Sequence, residues 1–251
     1  MLMSEFHEKG YTICEKMIEP ELLDSIVATV KAPFENIMQN WEIKSMQQLF
    51  EEMPEAFMNC AKHAQWNLQL HHLGVMLGYK TANFMQVNPL VNICTRPVIY
   101  FNNLKTAKNS INHTTPGHID AVSMQGSKDA IVCWVPLIEL TEEHGFLEVV
   151  EESHKWEASI KEFNNGFGTI DDDLYTFKPV KVKKGDVLVF NSHLIHRSGK
   201  LANDKVTRWS AHFRFNNMHD ADFISKMYPH PYEYKNIDYG QHGKNKNENL
   251  L

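Results

Sequence analysis

The chain has 251 residues, is 43% apolar and 22% charged, and carries a net charge of −6 with histidines neutral. That length suits one large domain burying about 70–75% of its unfolded surface, enough to hold without disulfides. The acidic balance argues against non-specific nucleic-acid binding and against attraction to an anionic membrane surface, so neither nucleic acid nor membrane is expected as a partner.

The opening MLMSEFHEKGYTI has no apolar run of signal-peptide length, and no stretch approaches the ~18 apolar residues of a membrane span. Cys14, Cys60, Cys94 and Cys133 form no CxxC pair and read as free thiols of a reducing compartment. The expectation is a cytoplasmic protein.

The first third reads as helical. Pro20 opens a stretch with Leu22, Ile26, Val27 and Val30 at spacings of three and four, and proline suits a first helical turn because its missing donor would be unpaired there. A second helix is expected over about 45–63 and a third over about 66–78, with Gly78 as its C-terminal cap. From about residue 80 short β-rich runs follow: VIYFN, AIVCWVPL, FLEVV, FKPVKVKK, DVLVFNSHLIHRS and VTRWSAHFRF. Pro116-Gly117, Gly145, Gly185-Asp186 and Gly199 are among the turn signals between them. Such punctuation indicates a sandwich or barrel rather than βαβ units. The layout is a single domain over 1–251: mainly helical support at 1–79, a β core at 80–216, and a polar extension at 217–251.

Within this region His118-Ile119-Asp120 follows the Pro-Gly turn. On a strand, side chains repeat every two residues, so His118 and Asp120 share a face. A third metal ligand is offered by His193 or His196, which lie three apart and so on opposite faces of a regular strand; periodicity does not choose. If 199–205 is a hairpin loop, Arg208 on the next strand opposes His196. An arginine fork there would clamp a carboxylate at two points, and Ser198 would face the same way. Two histidines and one carboxylate form the facial triad of non-haem Fe(II) oxygenases. The open positions would take 2-oxoglutarate and O2. Ser210, His212 and Arg214 share the Arg208 face, and inward polar groups need either a polar ligand or an internal salt bridge. Arg214 is therefore a candidate for a substrate anion, and Gln125 and His113 are candidate substrate contacts. Trp134 reads as core, His193 as structural, and Ser153 and His154 as holding a turn.

The ordered set HID, WVPLIELTEEHG, ESH, GDVLVF, HRS and Arg208 resembles the phytanoyl-CoA dioxygenase family of Fe(II)/2-oxoglutarate oxygenases over roughly residues 80–230. The resemblance implies a mainly β protein with N-terminal helices and a double-stranded β-helix (jelly-roll, cupin-like) core. It selects His196 as the second histidine, giving His118, Asp120 and His196 as the metal ligands. It implies Arg208 and Ser198 as 2-oxoglutarate ligands. Three positions depart from the family pattern: Ile119 where Gln is common, His144 where EENG is usual, and VEESH in place of VPGSH. Asp120 stands where halogenating members lack the carboxylate, which implies hydroxylation or another oxidative outcome rather than halogenation. The expectation is a hydroxylase of a small polar metabolite of sugar, amino-acid or phosphonate type. The alternatives are an acyl-CoA hydroxylase, or a non-oxidative cupin-like isomerase or binding protein.

Overall fold

A computed structural model describes residues 2–82, 91–93, 97–102, 115–124, 126–156, 160–164, 167–203, 206–221 and 225. The helices are α1 (Leu2–Lys9), α2 (Pro20–Asn40), α3 (Met46–Glu52), α4 (Pro54–Gln65), α5 (Leu68–Thr81) and the short α6 (Asp120–Met124). Pro20 is indeed a first-turn proline. The helix expected over 45–63 is two helices, because Pro54 lacks the donor and the space to continue α3 and instead begins α4. Gly78 does not cap α5. It lies buried inside the helix, on one stripe with Leu70, Leu73, Gly74, Leu77 and Thr81. That stripe faces the sheet so closely that a Cβ on Gly74 would stand 3.1 Å from the Phe213 ring.

The strands are β1 (Tyr11–Cys14), β2 (Val91–Ile93), β3 (Val98–Asn102), β4 (Ile131–Pro136), β5 (Leu147–Val149), β6 (Glu162–Asn164), β7 (Phe167–Thr169), β8 (Lys178–Val180), β9 (Val187–Asn191), β10 (His196–Ser198) and β11 (Arg208–Asn217). One layer has the order β1-β9-β4-β11, with β3 and β2 sharing the far edge of β11. The other has the order β10-β5-β8, and His118 bridges β10 to the β6–β7 hairpin. Every pairing among the described residues is antiparallel. Two such layers form an open jelly-roll sandwich rather than a closed barrel. The N-terminal segment also supplies β1, a sheet edge that four residues between helices did not announce.

Alternation divides the interior. Ile131, Cys133 and Val135, with Val187, Val189 and Phe213, pack under the helices. The Phe34 ring lies 5.6, 5.5 and 5.9 Å from those of Phe57, Phe101 and Trp209, locking α2 and α4 to the sheet. Gln65 completes the edge of β3: its amide donates to Ile99 O at 3.0 Å and accepts from Ile99 N at 2.8 Å. The opposite face, Val132, Trp134, Leu188 and Phe190, meets Leu147, Val149 and Val180 of the second layer. Cys14, Cys60 and Cys133 are buried free thiols. Among the described residues no helix is long and apolar enough to cross a membrane.

Two expectations about strands are corrected. The run 186–198 is not one strand: Asn191 Oδ1 accepts from His193 N at 2.8 Å, and Leu194 N donates to Asn191 O at 2.9 Å. This turn carries the chain from β9 in one layer to β10 in the other. Nor do β10 and β11 form a hairpin. His196 is paired with Val149 and Arg208 with Asn102, so the two residues belong to different layers. After β10, Gly199 N bonds Phe146 O and Ala202 N bonds Glu143 O, which leads the chain along the 143–146 segment before it crosses back.

Candidate metal centre

The site is assembled around the Pro116-Gly117 turn. Gly117 N donates to Asp172 Oδ1 at 2.9 Å, and Ile170 N donates to Gly117 O at 2.9 Å. A Cβ on Gly117 would stand 2.2 Å from Asp172 Oδ1, so only glycine permits this approach. Asp172 Oδ2 in turn accepts from Arg197 of β10. The turn thus delivers His118 beside β10.

His118 and His196 face each other as a cross-strand pair, each backbone N bonding the other's O at 3.0 Å. Directly opposed residues project to the same side, and the two ring centroids are 4.2 Å apart. His118 Nδ1 donates to Pro116 O at 2.8 Å and His196 Nδ1 to Leu194 O at 2.9 Å. Each carbonyl fixes a tautomer with the proton on Nδ1 and the lone pair on Nε2. Burial lowers both imidazoles, His196 to about 3, so both are neutral bases.

Asp120 is not on a strand with His118, as alternation suggested. It is the first residue of α6, where Ala121 N bonds Ser192 O, and the helical turn swings its carboxylate toward the imidazoles. Its Oδ1 is 3.8 Å from His118 Nε2 and its Oδ2 is 3.9 Å from His196 Nε2. Both are beyond hydrogen-bonding reach. Burial alone would raise the acid, but the Arg214 guanidinium beside it keeps the group ionised, well below the usual carboxylate range. Arg214 Nη2 donates to Oδ1 at 3.2 Å, whereas the buried Oδ2 has no hydrogen-bond partner among the described residues. The three donors lie within 4.8 Å of one another. Two neutral imidazoles and an ionised carboxylate with an orphaned oxygen fit a divalent cation of the facial-triad type.

Arg208 and Ser198 line the same cavity as the two histidines, together with Asn102, Ser210 and His212. Arg208 is 2% exposed. Its guanidinium donates to Asn102 Oδ1, His144 O and Gly199 O at 3.3–3.4 Å, all neutral acceptors. Burial brings it down to about 10 against the weak pull of Glu148, so it remains a cation. Ser198 Oγ lies 3.1 Å from Thr115 Oγ1. Arg214 also lines this cavity, with its Nη2 directed to Asp120.

His193 lies outside the ligand cluster, next to Ser192 Oγ at 3.4 Å. Ser153 holds its turn as expected, donating to Val150 O at 2.7 Å and accepting from Ile195 N at 2.8 Å. His113 and Gln125 fall outside the described residues. Ile119, where Gln is common, is buried among Val150, Ile170 and Ile195. Sequence reasoning missed Asn102, Thr115 and Asp172. Asn102 ends a β-rich run and could have been found by its register with Arg208; Asp172, in the run DDDL, carries no local signal.

Two antiparallel layers, a buried His-Asp-His cluster between them and a buried arginine in the same cavity define the class of non-haem metal enzymes of jelly-roll fold. The chain belongs to the phytanoyl-CoA dioxygenase family, whose model matches residues 6–209. Among solved structures it is similar to the epimerase SnoN in complex with Fe3+, α-ketoglutarate and nogalamycin RO, at 13% identity and TM-score 0.59 over 86% of this chain and 82% of that one. It is similar to EvdO2 of Micromonospora carbonacea var. aurantiaca complexed with 2-oxoglutarate, at 13% identity and TM-score 0.53 over 86% and 90% of the two chains. A third is AviO1 of Streptomyces viridochromogenes Tue57, at 18% identity and TM-score 0.52 over 87% and 95%. At these identities the likeness is one of fold. The protein is a 2-oxoglutarate-dependent non-haem iron enzyme, with Fe(II), 2-oxoglutarate and O2 as its reagents.

Proposed function

We propose that the protein is a cytoplasmic dioxygenase that hydroxylates a C–H bond of a small polar metabolite, of sugar, amino-acid or phosphonate type, and that residues 1–251 act as one oxygenase domain. His118, Asp120 and His196 hold the iron through Nε2, a carboxylate oxygen and Nε2. Arg208 and Ser198 receive the distal carboxylate of 2-oxoglutarate. When bound, iron and 2-oxoglutarate together supply oxidative decarboxylation coupled to oxygen insertion, with succinate and CO2 released.

The observation that carries this reading is Arg208. A buried cation with only neutral acceptors is costly, because several kcal/mol of lost hydration are poorly repaid. A dianion entering the cavity supplies the missing counter-charge, and the guanidinium fork matches a carboxylate at two points. The chain's further tasks are to present two neutral imidazoles, keep Asp120 ionised and exclude water from the site. Support for a polar substrate comes from Tyr100, Ser210 and His212, which give the cavity wall polar atoms.

The test is anaerobic addition of 2-oxoglutarate to the Fe(II) protein, followed in the visible charge-transfer region, and then succinate release with a panel of metabolites. Arg208→Met is expected to weaken 2-oxoglutarate binding by on the order of 30-fold or more, as for truncation of a buried charge pair. Unchanged affinity in that variant would remove Arg208 from the co-substrate site. No succinate from any sugar, amino acid or phosphonate, with turnover of acyl-CoA thioesters, would overturn the substrate class.

A further inference from the structure

The three ligand side chains are not held equally. His118 and His196 are each fixed twice, by the backbone pair between them and by an Nδ1–H bond to a carbonyl. Asp120 sits at the start of a five-residue helix, and its described side-chain hydrogen bond comes from the other layer, from Arg214 of β11. Arg214 is 1% exposed and lies in register with Val132 of β4, on the face that also carries His212. Of the two carboxylate oxygens it reaches Oδ1, and Oδ2 has no hydrogen-bond partner among the described residues.

We propose that Arg214 is a positioning residue that makes Asp120 a one-oxygen ligand. This rests on the metal centre described above and deepens it. A free carboxylate beside a divalent ion offers both oxygens. If both bound, a two-histidine site would lose one of the adjacent positions that a chelating co-substrate and dioxygen together require. A guanidinium donating to Oδ1 competes with the ion for that oxygen and leaves Oδ2 as the one presented to it. The inner arginine at 214 therefore differs in task from the one at 208: Arg208 faces neutral acceptors, whereas Arg214 is matched by a carboxylate within the protein.

The test uses Co(II) as a spectroscopic probe on the metal-free full chain, without substrate or turnover. Arg214→Met is expected to lower Co(II) affinity by roughly 10–100-fold, the usual effect of losing a group that orients a ligand. It should also change the Co(II) ligand-field spectrum as the second carboxylate oxygen joins. Arg214→Lys, which keeps one charged donor, should restore most of the affinity and the wild-type spectrum. If the Met variant does not fold by near-ultraviolet circular dichroism, Arg214→Gln replaces it, with the same direction expected at smaller size. Wild-type affinity and spectrum in the Met or Gln variant overturn the proposal, as does a loss that Lys fails to rescue, which marks mere packing. Failure of the wild type to bind Co(II), or binding that survives His196→Ala, is a different result: it sinks the metal centre and this proposal with it.

Discussion

The two faces of β11 divide the molecule's physics between them. Trp209, Ala211, Phe213 and Phe215 point to the helices, while Arg208, Ser210, His212 and Arg214 point to the space between the layers. All eight are buried. On the outer face burial is favourable for any well-packed apolar shape, at about 25 cal/mol per Å2. On the inner face it costs free energy unless each polar group finds a partner. Burial alone therefore does not distinguish core from site; the polarity of what is buried does.

The largest test of this contrast is Phe213→Ala. It should cost about 3–5 kcal/mol of stability in guanidinium melts, while the folded fraction binds metal as before. A coupled loss of metal affinity in the folded protein would show that the faces are not independent. On the inner face the opposite is expected. Arg208→Met should leave the metal-free protein as stable or up to a few kcal/mol more stable, since an apolar side chain replaces a poorly paired buried cation. A clear destabilisation would mean that Arg208 is structural.

Acid offers a graded version of the same test. Burial pushes His196 down to about 3 and His212 well below its ordinary 6.5, so both are neutral in the fold and take up protons on unfolding. The unfolded chain binds more protons between those values, so metal-free stability should be full above about pH 6.5 and fall steadily toward pH 3. A flat profile across that window would contradict the buried neutral histidines. The smallest effect lies outside both faces. Glu152 adopts φ 66°, where VPGSH would place glycine. Glu152→Gly should stabilise by about 0.5–1 kcal/mol, the relief of left-handed strain less glycine's added chain entropy; no gain in melting temperature would show that strain is already relieved.

Much of this was readable from local pattern. The alternation of VTRWSAHFRF separates the apolar and polar faces of β11, and the tripeptide at 118–120 supplies two of the clustered donors. Choosing His196 over His193 required the family resemblance, because the turn that decides it is an Asn191 side-chain turn with neither glycine nor proline to mark it. The reason His118 meets His196 is a long-range bridge between layers, and the hold of Asp172 on Gly117 spans 55 residues. Pairings of that kind leave no periodic trace. Pro54, by contrast, was a visible helix break that the expected 45–63 helix passed over.

Anomalous diffraction from crystals loaded anaerobically with Fe(II) tests the central claim most directly. The expected result is one iron per chain bonded to Nε2 of His118, Nε2 of His196 and a single oxygen of Asp120. Iron elsewhere in the chain, with these three side chains unligated, would contradict it.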